Sequence, residues 1–252
     1  MHRFYLSPDD WPSRSLSGPE AHHARNVLRL TTGDRVTLFD GRGREATAEI
    51  RALGPDTIQL RVLHEAMSPR LRARIALAQA IPKGKNMELI VQKAVEIGAA
   101  EIFPLLSART VVHLSAESAD QKRAKWQTIA IEAAKQCGQN WLPQIQRPLS
   151  PDDFFAQTAA TNDYDLRLIG SLQPGARHLK KILAEYALAH DGARPERVLM
   201  LVGPEGDFTP AELALAQSHG CAPLTLGPII LRVETAAIYC LSILSYELLG
   251  ET

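Results

Sequence analysis

The sequence predicts an α/β protein in two parts, a small β-barrel followed by a larger domain built on a mostly parallel sheet. Three observations carry that expectation. Apolar residues alternate with polar ones through the first part of the chain, the rhythm changes to alternating strands and helices from residue 72, and two late strands empty into loops rich in glycine and proline. The boundaries fall at residues 1–69 and 72–252, with Met67-Ser68-Pro69-Arg70 between them.

In the first part, Val36-Thr37-Leu38-Phe39 runs into the turn Asp40-Gly41-Arg42-Gly43. Ala46, Ala48 and Ile50 then alternate with Thr47, Glu49 and Arg51. After a turn at Gly54-Pro55-Asp56, Ile58, Leu60 and Val62 alternate with polar neighbours. Period-two patterning between short turns describes an antiparallel sheet with one wet face, curled into a small barrel. A short helix around Pro19 to Leu28 interrupts it.

Further along, Arg74 to Ala80 reads as an apolar strand and Met87 to Gly98 as a helix ended by glycine. Glu101 to Leu105 is a strand. Ala119 to Cys137 is a long helix that gathers Trp126, Ile129, Ala130 and Ala133 on one face. Asp165 to Gly170 and Val198 to Gly203 read as buried strands. Thr209-Pro210-Ala211-Glu212 has the form of a helix start, with Thr209 as cap and Glu212 three residues on. A last helix spans about Glu234 to Leu249.

Composition sets the outer limits. Apolar content of 45% and charged content of 22% suit a globular enzyme. The N-terminus lacks an apolar core of signal-peptide length. The longest apolar stretch, Ala236 to Leu249, is interrupted by Ser242, Ser245 and Glu247 and is too short to span a bilayer. Cys137, Cys221 and Cys240 lie far apart, which speaks against a disulfide framework or zinc site and for a reducing cytoplasm. The net charge of zero is unevenly spread: residues 70–125 carry +5 and residues 126–252 carry −5. The basic segment is compatible with a phosphate-facing surface and equally with a solvated lysine-rich face.

In open α/β sheets, ligands bind beyond the carboxyl ends of the strands. Two such ends stand out. Val198 to Val202 leads into Gly203-Pro204-Glu205-Gly206-Asp207-Phe208, and Leu224-Thr225-Leu226 leads into Gly227-Pro228-Ile229-Ile230-Leu231-Arg232. Glycine lets the backbone approach a ligand, and proline fixes loop shape before binding. Two ordinary tight turns would also explain either loop taken alone. Rival motifs are absent from the sequence: there is no GxxxxGK[ST], GxGxxG, HExxH or GxSxG.

These residues resemble the small-subunit (16S) ribosomal RNA uridine-N3 methyltransferases, a branch of the SPOUT superfamily. The resemblance spans nearly the whole chain. It rests on Arg3-Phe4-Tyr5, His23 to Arg29, Gln92 to Gly98 with Ile102-Phe103-Pro104 and Arg109-Thr110, and Trp126 with Glu132 to Gly138. Its most specific parts are Gly203-Pro204-Glu205-Gly206 and Leu226-Gly227 with Ile230 to Ala236. Two positions depart from the family pattern: Asp207 stands where a second glycine is usual, and Gln139 where an arginine is usual.

The resemblance implies a PUA-like RNA-binding barrel over 1–69 and a SPOUT-type domain with a deep trefoil knot over 72–252. It implies S-adenosyl-L-methionine as cofactor, a homodimer, and methylation of N3 of one uridine in the decoding region of the small subunit. The expected cofactor site comprises Gly170, Val202, Gly203, Pro204, Glu205, Gly206, Leu226, Gly227, Ile230, Leu231, Thr235 and Ala236. Arg3, His23, Arg25, Asn26 and Arg29 are expected to meet RNA, with His23, Asn26 and Arg29 at three-residue spacing on one helical face.

For chemistry, uridine N3 loses a proton as the methyl arrives, so anionic character on the pyrimidine must be stabilised or a base supplied. Arg232 is the candidate stabiliser, with bracing against Glu234 as its structural alternative. Glu205 is the candidate base or a partner for the cofactor's ammonium, with a structural loop carboxylate as the alternative. A SPOUT enzyme for another ribosomal or transfer-RNA base, and an RNA-binding ribosome-assembly factor without catalysis, remain as competing functions. No metal is expected.

Overall fold

The alternating first third of the chain becomes a five-stranded sheet in the computed structural model, which describes residues 1–112, 114–161 and 163–250. Of the expected second domain, residues 113, 162 and 251–252 therefore lie outside the described residues. Strands β1 (Arg3–Tyr5), β2 (Ser15–Ser17), β3 (Arg35–Phe39), β4 (Arg44–Leu53) and β5 (Thr57–Met67) lie in the order β1-β3-β4-β5-β2. The alternation predicted for β4 and β5 places Ala46, Ala48, Ile50, Ile58 and Leu60 inward, against Phe4, Trp11, Leu16 and Leu38. Register shifts between Thr47 and Ala48 and between Ile50 and Ala52 mark bulges, which bend and twist the long β4–β5 ribbon. One pairing departs from the antiparallel expectation: β1 joins β3 in parallel. A parallel partner needs a long crossover, and residues 6–34 supply it.

Within that crossover, helix α1 (Gly18–His22) passes straight into a π-helical turn over His23–Val27. The expected helix through Leu28 with a shared face is thereby corrected. The wider turn changes the phase of the side chains. Arg29 stands past its end in the left-handed region at φ +55°.

From residue 74 the chain builds a six-stranded sheet in which every pairing is parallel. Its strands are β6 (Arg74–Ala80), β7 (Glu101–Leu105), β8 (Gln144–Ile145), β9 (Leu166–Gly170), β10 (Arg197–Val202) and β11 (Ala222–Leu224). They run in the order β11-β9-β10-β6-β7-β8. Helices α2 (Asn86–Ile97), α3 (Ala116–Cys137), α4 (Pro151–Thr161), α5 (Leu179–Ala189), α6 (Pro210–Ser218) and α7 (Val233–Leu248) accompany it. β10 is buried along Val198–Val202, as a central parallel strand must be. β8, α4 and α5 were not anticipated.

Gly98 ends α2 at φ +95°, and Thr209 and Glu212 form a reciprocal capping box on α6. The strand expected to run to Leu226 stops at Leu224, and α7 packs on α2, β6 and β10.

The chain divides into two compact units, Met1–Arg70 with Ile131–Leu142, and Leu71–Ala130 with Pro143–Thr252. The end of α3 and the residues after it thus belong with the first unit rather than the second. Their link is specific. Lys135 pairs with Glu20 at 2.9 Å while its ammonium lies 5.8 Å from the Phe4 ring. Asn140 donates to Glu45 at 3.0 Å and to Ser68 at 2.7 Å. Among the described residues, no helix is long and apolar enough to cross a membrane.

Candidate cofactor pocket

At the carboxyl ends of β9, β10 and β11, three loops and the start of α7 line a half-open pocket of about 640 Å³, part of it open to solvent. β9 brings Gly170, Ser171 and Leu172; β10 brings Val202 to Glu205 and Asp207; the loop after β11 brings Leu226, Gly227 and Ile229 to Leu231. Val233, Ala236 and Cys240 of α7 complete it. Ten of the twelve residues expected at the cofactor lie on this wall, while Gly206 and Thr235 do not. Sequence reading missed Ser171, Leu172, Asp207, Ile229, Val233 and Cys240. The last two sit on the inner face of α7, each one turn from Ala236, and helical spacing would have found them.

The Gly-Pro loop is held tightly. A Cβ on Gly203 would lie 3.1 Å from Asp207 Oδ1 and 3.2 Å from the Phe208 nitrogen, so any side chain there would make the turn give by a few tenths of an ångström. The Asp207 N–H donates to the Pro204 carbonyl at 2.9 Å, closing a turn. Asp207 itself adopts φ +61°, and its Oδ1 accepts from the Phe208 N–H at 2.8 Å. Glycine would take up this left-handed conformation freely, and a short polar side chain bonded to the next amide is the tolerable alternative.

Neighbouring loops brace it. Glu205 accepts a hydrogen bond from the Lys83 N–H at 2.9 Å. Arg109 donates to the Gly206 carbonyl. Gln79, fully buried at the end of β6, donates through Nε2 to the Val202 carbonyl at 3.4 Å. Gln79 and Arg109 were not foreseen as supports. A lone glutamine in an apolar strand was the available signal for the first.

The walls suit a nucleoside with a charged tail. Leu226, Ile230, Leu231, Val202 and Ala236 offer apolar surface. Among the described residues, the N–H groups of Leu226, Ile229, Ile230 and Leu231 donate to no protein acceptor. These uncommitted donors and apolar faces fit an adenosine edge and carboxylate. Burial pushes the Cys240 thiol up to about 12, so it lines the wall as an unreactive group. Arg232 sets the N-terminus of α7 but lies outside the lining, exposed, with no side-chain partner among the described residues. The expected brace to Glu234 is not formed; Glu234 accepts from Asn86 at 3.2 Å instead.

The residues expected to meet RNA are placed unequally within the first unit. Arg3 is committed to Glu45 at 2.7 Å and to Asn140, with its guanidinium 5.0 Å from the Phe39 ring. Arg25 donates to the carbonyls of Gly54 and Pro55 and so holds the β4–β5 turn. His23 is half-buried with its ring edge-on to Phe4, whereas Asn26 and Arg29 are exposed. Among the described residues, no cluster of side chains could hold a metal ion.

A parallel α/β unit with a Gly-Pro cofactor pocket, accompanied by a small β-sheet unit, defines a nucleoside-cofactor enzyme with an accessory module. Comparison with known proteins gives the family. The RNA methyltransferase domain matches residues 69–245, and the RNA methyltransferase PUA domain matches residues 16–63. The ribosomal RNA small subunit methyltransferase E of Bacillus subtilis is 32% identical, covering 98% of this chain and 97% of its own. Its counterpart in Synechocystis is also 32% identical, over 90% of this chain and 71% of its own. Among solved structures, ribosomal RNA small subunit methyltransferase E from Neisseria gonorrhoeae, bound to S-adenosyl methionine, has a TM-score of 0.82 at 30% identity. A Legionella pneumophila protein in complex with the bound cofactor SAM has a TM-score of 0.86 at 32% identity. Each covers 98% of both chains. The chain belongs to this family of RNA methyltransferases.

Proposed function

We propose that the protein methylates N3 of one uridine in small-subunit ribosomal RNA, using S-adenosyl-L-methionine held in the pocket beneath the Gly203–Gly206 loop. The observation that carries this reading is the pocket itself, with ten of the twelve expected residues on its wall. The backbone N–H groups of Leu226 and Ile229 to Leu231 would hold the adenosine and carboxylate, and Val202, Leu226 and Ile230 would enclose the ring. When bound, the cofactor supplies a methyl group on a sulfonium, which needs placement more than activation.

Arg232 is the residue we assign to the developing negative charge on the pyrimidine. It stands next to lining residues Leu231 and Val233 with an unpaired guanidinium. Glu205 is assigned a bracing role, because one of its oxygens is spent on the Lys83 amide. The first unit is proposed to bind RNA, with Asn26, Arg29 and His23 as contacts and Arg3 and Arg25 holding their scaffold. The return of the chain from edge strand β11 to α7 on the central strands supports a knotted course for the second unit.

A homodimer belongs to the same reading. Ile229 and Ile230, at 72% and 78% exposure, and Tyr239 and Tyr246 on α7 are large exposed side chains that a second copy would bury. Light scattering of the purified chain tests it, and a strict monomer at micromolar concentration overturns it. A cytoplasmic location follows from the substrate. The functional test is to map uridine N3-methylation on small-subunit RNA in cells with and without the gene; unchanged modification refutes the proposal. Calorimetry with S-adenosyl-L-methionine separates the assembly-factor alternative, which expects no binding.

A further inference from the structure

The second unit carries a group of exposed cations beside the cofactor pocket whose charge is not paired with a carboxylate among the described residues. Lys83 and Lys85 lie on the loop after β6, and Arg109 on the loop after β7. These strands are neighbours, with Ala80 opposite Leu105. Lys83 and Arg109 therefore emerge side by side at the end of the sheet that bears the pocket. Neither lysine has a side-chain partner among the described residues.

Among the described residues, none of the nearby carboxylates pairs with the ammonium group of Lys83 or Lys85. Glu205 accepts from the Lys83 N–H at 2.9 Å, Glu212 from the Ala108 N–H at 2.7 Å, and Glu234 from Asn86 at 3.2 Å. Glu88 pairs with Lys125 at 2.5 Å. Two of these bonds fasten the loops through the backbone of Lys83 and of the residue before Arg109. Arg109 is pinned further by its bond to the Gly206 carbonyl, which leaves most of its five donors for a ligand. The loops are thus fixed against residues 205–206 and α6 while their positive ends face water.

We propose that Lys83, Lys85 and Arg109 form a phosphate-binding rim that grips the RNA backbone beside the nucleotide to be methylated. This rests on the RNA methyltransferase reading above and adds to it a contact that belongs to the second unit alone. The chemistry calls for one. A base that leaves its stack to reach a pocket must have its flanking phosphates held, and phosphate contacts fix register without reading sequence.

The test uses the full chain, S-adenosylhomocysteine and a fluorescent small-subunit RNA fragment, with affinity measured across a salt series. In K83Q/K85Q the slope of log affinity against log salt should be shallower by roughly 1.5, with binding about tenfold weaker near 0.1 M salt. Calorimetric affinity for the cofactor should be unchanged, and K83R/K85R should restore both RNA parameters. Wild-type affinity and slope in the glutamine variant overturn the proposal. So does simultaneous loss of cofactor binding, because the lysines would then act on the fold of the loop, and so does a wild-type chain that binds no RNA. Because binding is read without methyl transfer, a chain with this salt dependence but no uridine methylation supports the rim and refutes the proposed reaction.

Discussion

Glu205 Oε1 and the backbone N–H of Lys83 meet at 2.9 Å, tying the Gly-Pro loop of the pocket to the loop after β6. A carboxylate spent in this way acts first as a brace. Glutamine keeps the accepting oxygen, so E205Q should turn over within a fewfold of the parent. E205A loses the acceptor and should weaken cofactor binding by about 1–2 kcal/mol, five- to thirtyfold. Were Glu205 the proton acceptor, E205Q would lose about 10²–10⁴ in kcat at unchanged cofactor affinity. Steady-state rates and calorimetry on the two variants distinguish these roles.

Asp207 holds a left-handed conformation that costs an L-residue roughly 1–2 kcal/mol, and offsets part of it through its bond to the Phe208 amide. D207G removes the strain and the bond together and should change stability by less than about 1 kcal/mol. D207A keeps the strain and loses the bond, so it should destabilise by roughly 1–2 kcal/mol. Urea midpoints at constant m-value give both numbers. Equal stability of the two variants would contradict the conformational account.

Arg232 offers a guanidinium with no protein partner among the described residues, next to lining residues Leu231 and Val233. If it stabilises charge on the pyrimidine, R232Q should lower kcat by about 10²–10³ with cofactor affinity unchanged. R232K should retain part of the rate. A fall in cofactor affinity with unaltered kcat would assign Arg232 to the pocket wall.

Reactivity of the thiols checks the pocket from inside. Burial pushes Cys221 and Cys240 up to about 12, whereas Cys137 is exposed. Iodoacetamide at pH 8 should modify Cys137 alone in the folded protein, as read by intact and peptide mass spectrometry. Rapid labelling of Cys240 would mean that the pocket floor opens in solution.

How much was legible in the sequence depended on whether a feature was local. The capping box at Thr209 and Glu212, the glycine end of α2 and the alternation of β4 are set by neighbours in sequence, and each was read directly. The pocket loops were legible because glycine and proline write backbone shape into the chain. The π-helical turn at His23–Val27 left no periodic signal, so the single α-helical face expected for His23, Asn26 and Arg29 does not form. The roles of Arg3, Arg25 and Arg109 depend on partners 29 to 137 residues away, which periodicity does not encode. Short β8 and the capped α4 were hidden for another reason: two residues carry no period, and Ser150 caps α4 ahead of the adjacent aromatic pair Phe154 and Phe155.

Acid should loosen the first unit through one carboxylate. Burial acts to raise the Glu45 carboxyl, but hydrogen bonds from Arg3 and Asn140 outweigh it and hold it below the ordinary glutamate range. A depressed folded pKa means that the unfolded chain takes up the proton first as pH falls. The stabilisation is therefore complete above the unfolded glutamate value, near 4.3, and is lost as pH drops through the folded one. E45Q should be less stable than the parent at pH 7, and the gap should close as pH falls below about 4. Urea midpoints from about pH 7 to 3 measure that gap. Partial exposure of the carboxylate keeps it modest, so the convergence rather than the size is diagnostic. Parallel curves across that range would show that Arg3 and Asn140 hold Glu45 by shape and not by charge.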